Sequence, residues 1–153
     1  MNSSLYAPAL TIRQFDWEDL QAVTSLMRQL NYPTTLNVMR ERMEAVEASP
    51  LYATMIAEVD GEVVGMVNLQ QVVSLARRSD PATQVTAIIV AKEHQGQGIG
   101  KRLIESAERW AREKGSMTLF LTSGNRVERA PAHAFYEHIG FEKSGYRFFK
   151  TLK

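Results

Sequence analysis

The sequence predicts an α/β (α+β) domain with a mixed, mostly antiparallel sheet of six to seven strands and helices on both faces, in the order βααββ-βα-βαβ(β). Three observations predict it. Asp60-Gly61 lies between two apolar-rich runs and marks a two-residue hairpin, whose central residues both need positive φ. Val85-Thr86-Ala87-Ile88-Ile89-Val90 is apolar enough for burial on both faces of a sheet, hence for a central position. A glycine-rich turn and then a helical pattern follow that run, so the strand leads into a crossover.

The elements follow in order. Residues 10–14 read as a first strand. Asp16 can cap a helix with Asp19 in its first turn, and Leu20, Val23, Met27 and Leu30 recur at helical spacing. Pro33 ends that unit. Thr34 or Thr35 can cap a second helix carrying Leu36, Met39, Met43 and Val46, which stops before Pro50. Its methionines read as core or as a pliable wall for a substrate. Residues 52–59 and 62–72 form the hairpin, and 74–81 a polar loop. After the strand at 85–90, residues 92–100 form the turn. A helix with Leu103, Ala107, Trp110 and Ala111 on one side is closed by Gly115. Residues 117–121 are a further strand, Pro131 starts a short helix that ends at Gly140, and one or two closing strands follow from Phe141, including 146–149.

The chain has 153 residues, enough for one self-supporting core. A single domain is expected over 10–153, preceded by a short extension at 1–9. A net charge of +1 gives no argument for a nucleic-acid or membrane partner. The absence of cysteine excludes disulfides, thiolate metal sites and a cysteine nucleophile. His94, His133 and His138 have no ligand spacing, so no metal is expected, and no serine sits in a nucleophile elbow. The first nine residues carry no basic stretch followed by an apolar run, and no apolar stretch nears the ~20 residues that span a bilayer. The expectation is a cytoplasmic protein.

The chemistry is concentrated in Ile88-Ile89-Val90-Ala91-Lys92-Glu93-His94-Gln95-Gly96-Gln97-Gly98-Ile99-Gly100-Lys101. The first N–H groups of a helix lack intrahelical partners and carry partial positive charge. Glycines let a phosphate approach the backbone, and Lys101 adds a cation where the helix dipole disfavours one unless an anion compensates. A Walker loop is excluded because Gln95 stands at its first glycine and Arg102 at its Ser/Thr. A dinucleotide fingerprint is excluded because its third glycine falls on Lys101 or Leu103. The alternative is a tight strand-to-helix connection that binds nothing.

Gln95, Gly98 and Gly100 meet the pattern Gln/Arg-x-x-Gly-x-Gly/Ala, and Phe135-Tyr136-Glu137-His138-Ile139-Gly140-Phe141 follows about 35 residues later. In these features, and across nearly its whole length, the chain resembles the GNAT superfamily of acyl-CoA-dependent N-acetyltransferases. The resemblance implies acetyl-CoA as co-substrate, with its diphosphate on Gln95, Gly96, Gln97, Gly98, Ile99, Gly100 and Lys101. It implies a pantetheine arm along Ile88, Ile89 and Val90, where this strand and the 117–121 strand splay apart. Main-chain donors at Ile89 and Val90 would polarise the thioester carbonyl. Tyr136 resembles the tyrosine that protonates the departing thiolate; a phenol is protonated at neutral pH. From the residues alone Tyr136 reads equally as a hydroxyl anchored to backbone. Asn125 resembles the asparagine that bonds the arm, with a loop or cap asparagine as the alternative.

Many relatives carry a glutamate on the strand before the turn, whereas this chain has Gln84, Thr86 and Ala87 there. Glu93, His94, His133 or a water relay remain as routes for the substrate proton, and no base is assigned. The expected activity is acetyl transfer to a primary amine, of a small molecule by analogy of the closing segment, by direct attack in a ternary complex. The alternatives are a non-catalytic acyl-CoA-binding or sensing module and acetylation of a protein amine. Arg77-Arg78 and residues 126–129 read as solvated basic runs, with Arg129 also a candidate for the adenosine 3′-phosphate or an anionic substrate. Relatives are often dimers, which leaves a homodimer open.

Overall fold

A computed structural model describes residues 9–75, 81–122, 130–145 and 148–152. Its elements are β1 (Leu10–Gln14), α1 (Leu20–Gln29), α2 (Leu36–Glu47), β2 (Tyr52–Val59), β3 (Glu62–Val72), β4 (Ala82–Val90), α3 (Ile99–Glu113), β5 (Thr118–Phe120) and α4 (Ala130–His138). The strands form one sheet in the order β1-β2-β3-β4-β5. Each neighbouring pair among the first four is antiparallel, and β5 runs parallel to β4 after the α3 crossover.

Local chemistry explains most boundaries. Asp16 accepts from the Glu18 N–H at 2.9 Å while Asp19 Oδ2 accepts from the Asp16 N–H at 2.8 Å, a reciprocal cap that opens a 3₁₀ turn ahead of α1. Asp19 also accepts from both terminal guanidinium nitrogens of Arg13, Nη1 and Nη2, at 2.7 and 2.8 Å, and Arg13 Nε donates to Glu58 on β2 at 2.9 Å. The bonds from Arg13 hold the buried Asp19 carboxyl below its ordinary range, against the opposing effect of burial. Thr35 caps α2 by accepting from the Val38 N–H at 3.2 Å. Asp60 and Gly61 have φ of 50° and 82°, as the predicted hairpin requires.

Two apolar layers flank the sheet. On one face α3 buries Ile99, Leu103, Ile104, Ala107 and Trp110 against Ala57, Val64, Val67, Leu69 and Val85. On the other, Leu20, Val23 and Leu26 of α1 and Met39 and Met43 of α2 meet Ile56, Met66 and Ile89. The helical spacing of each set and the two-residue period of the strands put these residues on facing surfaces. No helix among the described residues is long and apolar enough to cross a membrane.

The sheet differs from the predicted one in three places. The described residues form five strands where six to seven were expected. Residues 141–145 and 148–152 are not strands, while 146–147 lie outside the described residues. Phe148 and Phe149 are neighbours and both exposed, so no buried alternation fixes a register there. The strand predicted at 85–90 begins earlier, at Ala82, and the one predicted at 117–121 is only Thr118–Phe120. Thr83 and Gln84 hid the true start of β4 because they are polar, yet Thr83 is fully buried and shares a 2.6 Å hydrogen bond with Ser116.

Candidate active site

The glycine turn leads directly into α3. Gly98 is the N-cap and has a φ of 83°, and no side chain caps the helix. The main-chain N–H groups of Ile99, Gly100 and Lys101 find no acceptor among the described residues; the first satisfied donor is Arg102, which bonds the Gly98 carbonyl at 3.1 Å. Gly96 also has positive φ, at 81°, and a Cβ at Gly96 or Gly98 would meet nothing within 4 Å. These two glycines are needed for backbone conformation, and they leave open space in front of the helix end. Lys101 and Gln97 are exposed beside it. Three convergent, unpaired donors at the positive end of a helix suit a phosphate ester.

Gly100 serves a different purpose. A Cβ there would lie 3.0 Å from Phe135 Cζ on α4, so its small size lets α4 pack on the start of α3. That contact joins the two sequence segments that carry the predicted site. Sequence reading assigned Gly100 to phosphate access and did not find its partner, because nothing in the residue pattern pairs positions 100 and 135.

Upstream, β4 loses its neighbour. Pairing with β5 covers only Ala82↔Thr118, Thr83↔Leu119 and Gln84↔Phe120. From Val85 to Val90 the β5 side of β4 carries no paired strand among the described residues. The Ala91 N–H donates to Val64 on the β3 side at 2.8 Å. By the alternation of an antiparallel ladder, Ile89 then faces β3, and the N–H groups of Ile88 and Val90 face the open side. Ile89 is buried among α1 and α2 side chains. Gln95 Nε2 donates to the Val90 carbonyl at 3.1 Å, which ties the turn to the end of the strand. The Gln95 amide therefore acts as a brace between the open edge and the helix start.

The register also slips within β4. Asn68 pairs with Ala87 and Leu69 with Val85, so Thr86 is the extra residue of a bulge. Thr86 is exposed, and its hydroxyl hydrogen-bonds both the Asn68 carbonyl, at 3.2 Å, and the Asn68 side-chain oxygen.

Tyr136 is half-buried on α4, its ring 5.7 Å from Phe135 and 6.0 Å edge-on from Phe141. The Phe141 N–H closes the helix end by bonding the Tyr136 carbonyl at 2.9 Å. Ile139 and Phe141 pack on the α3-side core, so the segment that follows Tyr136 is anchored there. Among the titrating groups, Glu93 accepts from Gln29 at 3.2 Å, and His94 is half-buried with Nδ1 3.4 Å from Gln97 Oε1. His133 is half-buried on α4. Asn125, Arg77, Arg78 and residues 126–129 lie outside the described residues. No group of three or more His, Cys, Asp or Glu side chains that could hold a metal occurs among the described residues.

A strand with one open edge is thus braced to a helix start whose first donors are free. The chain belongs to the acetyltransferase (GNAT) family, whose profile matches residues 13–141, and is a GNAT-type N-acetyltransferase. It is 29% identical over 146 residues to an aminoalkylphosphonate N-acetyltransferase of Salmonella typhimurium, covering 95% of this chain and 93% of that one. It is 29% identical over 142 residues to an aminoglycoside N(6′)-acetyltransferase type 1 of Stenotrophomonas maltophilia, covering 92% and 91%. Its fold matches that of an aminoglycoside N-acetyltransferase, AAC(6′)-Iy, solved in complex with CoA, with a TM-score of 0.85 at 21% identity over 96% of this chain and 97% of that one.

Proposed function

We propose that the protein moves an acetyl group from acetyl-CoA to a primary amine of a small molecule, by direct attack within a ternary complex. The observation that carries this reading is the meeting of the open β4 edge with the unpaired N–H groups of Ile99, Gly100 and Lys101. Two relatives that match the chain nearly end to end are named for small amine acceptors, which supports the same substrate class.

The chain's own groups divide the work. Gly96 and Gly98 keep the backbone open while Ile99, Gly100 and Lys101 bind the diphosphate, with Gln97 and the Lys101 ammonium beside it. Gln95 contributes by fixing the turn to Val90. Acetyl-CoA supplies the activated acetyl group. The outward N–H groups of Ile88 and Val90 hold its arm and stabilise the negative charge that develops on the carbonyl oxygen. Ile89 contributes through packing that keeps this strand rigid. Tyr136 donates a proton to the departing sulfur, the proton that the amine nitrogen loses on acylation passes to water and restores the phenol, and Asn125 adds a bond to the arm. Holding both reactants in line contributes roughly 7–11 kcal/mol to the barrier reduction.

The test is release of free thiol from acetyl-CoA in the presence of an aminoalkylphosphonate, an aminoglycoside and a lysine peptide, with acetylation read by mass. Turnover on either small amine, at a kcat/KM well above that for the peptide, is expected. Turnover on the peptide alone would move the assignment to protein amines. Thermodynamic binding of CoA with no turnover on any acceptor would contradict it.

A further inference from the structure

We propose that Thr86 is the residue that holds the acceptor amine, and that Asn68 aims its hydroxyl. The proposal rests on the acetyltransferase reading above and adds a residue on the acceptor side to it.

A hydrogen-bonded row crosses three strands. Asn68 Nδ2 donates to Thr54 Oγ1 at 2.8 Å and to the Ala53 carbonyl at 3.4 Å, and the Asn68 side-chain oxygen receives the Thr86 hydroxyl. Alternation places Thr54 and Asn68 on the same face as Ile56 and Met66, the face covered by α1 and α2, and the bulge lets the Thr86 hydroxyl reach the Asn68 side chain on that face. Thr54 is 3% exposed and Thr86 is exposed, so the row runs from the core to the surface.

The chemistry of the row has one direction. A carbonyl only accepts, so the Ala53 oxygen requires the Asn68 nitrogen on its side, and this assigns the amide. The Asn68 oxygen must then face Thr86, and the single Thr86 proton is shared between that oxygen and the Asn68 main-chain carbonyl, both of which only accept. What remains on Thr86 Oγ1 is lone pairs, on an exposed residue of the bulge. An ammonium or amine offers N–H donors, the complement of that site. The bulge turns this hydroxyl out of the regular ladder just where β4 has lost its β5 neighbour.

The reach is right. Thr86 precedes Ile88 by two residues, about 7 Å along an extended strand. An amine nitrogen about 3 Å from the hydroxyl, with a further ~3–3.5 Å to a carbonyl carbon, spans the same distance. Thr86 takes no proton in this scheme. It orients the nitrogen, and Asn68 acts through Thr86 as a positioning residue.

The experiment measures steady-state kinetics with aminomethylphosphonate and neamine as probes, alongside CoA calorimetry, for the wild type, Thr86→Val, Thr86→Ser and Asn68→Leu. Thr86→Val keeps the branched shape without the hydroxyl. It is expected to lower kcat/KM for the amine by about 10- to 100-fold, the range for a hydrogen bond to a charged group, with CoA affinity within about twofold of wild type. Thr86→Ser restores the hydroxyl and is expected to recover activity to within about threefold. Asn68→Leu removes the side-chain acceptor that aims the Thr86 hydroxyl, leaving it only the 3.2 Å bond to the main-chain carbonyl of residue 68, and is expected to raise the amine KM with CoA affinity kept. Equal activity in Thr86→Val, an equal loss in Thr86→Ser, or a parallel loss of CoA affinity would overturn the proposal while leaving the acetyltransferase reading intact. A wild type that binds CoA and acetylates neither probe would remove the small-amine reading and this proposal with it.

Discussion

Gly100→Ala is the most informative single perturbation of this architecture. The new methyl would stand 3.0 Å from Phe135 Cζ, where carbon pairs prefer about 3.5–4.0 Å. Relief needs a shift of at least about 0.5 Å in the Phe135 ring or in α4, and Phe135 is half-buried, so the ring has some room. Overpacking of this kind costs about 1–3 kcal/mol, while replacing glycine by alanine in a helix gains up to about 1 kcal/mol. The net expectation is a destabilisation of about 0–3 kcal/mol. The clean quantity is the coupling with Phe135→Leu, which removes the opposing ring edge. In that background Gly100→Ala should become stabilising, giving an interaction of about 1–2 kcal/mol in a double-mutant cycle from urea unfolding. Tyr136 follows Phe135 on the same helix, so Gly100→Ala should also lower kcat, partly restored in the double variant. Additivity within about 0.5 kcal/mol, with Gly100→Ala stabilising in both backgrounds, would refute the contact between the two motif segments.

Three further outcomes follow from named contacts. Tyr136→Phe should lower kcat by at least about 100-fold with acetyl-CoA affinity unchanged, and unaltered turnover would remove the acid role. Gly98→Glu places a carboxylate and a side chain in the left-handed region before α3; CoA affinity measured by calorimetry should fall at least tenfold, on the order of 1.4 kcal/mol or more. Asp19 carries a carboxyl whose folded value lies below its ordinary 3.8, chiefly because of Arg13. Its stabilisation is therefore present above pH ~4 and lost as pH falls through the lowered folded value. Asp19→Asn should flatten the decline of Tm below pH ~4, and an unchanged slope would show that other carboxylates dominate acid unfolding.

Much of this fold is legible because local chemistry dictates it. The Asp60-Gly61 turn fixes the register of β2 and β3, and both strands have the predicted limits. Asp16 and Thr35 mark their helices because a short oxygen acceptor is what an open helix end requires. What the sequence hides are relations between distant segments. The bulge at Thr86 exists only relative to Asn68, and the pairing of Gly100 with Phe135 only once α4 has docked. The alternation that turns Ile88 and Val90 outward and Ile89 inward likewise depends on which β3 residue each one faces. The closing strands predicted from aromatic residues are not formed by 148–152, since Phe148, Phe149 and Leu152 are all exposed.

The central claim is that free main-chain donors at the start of α3 receive the diphosphate of coenzyme A. Amide chemical shifts followed during a titration of isotopically labelled protein with CoA examine those donors one at a time. The N–H resonances of Ile99, Gly100 and Lys101 should move together and saturate with a single dissociation constant, with those of Ile88 and Val90 moving in the same titration. Saturable binding that leaves these three amides in place would mean that the helix start is not the phosphate site.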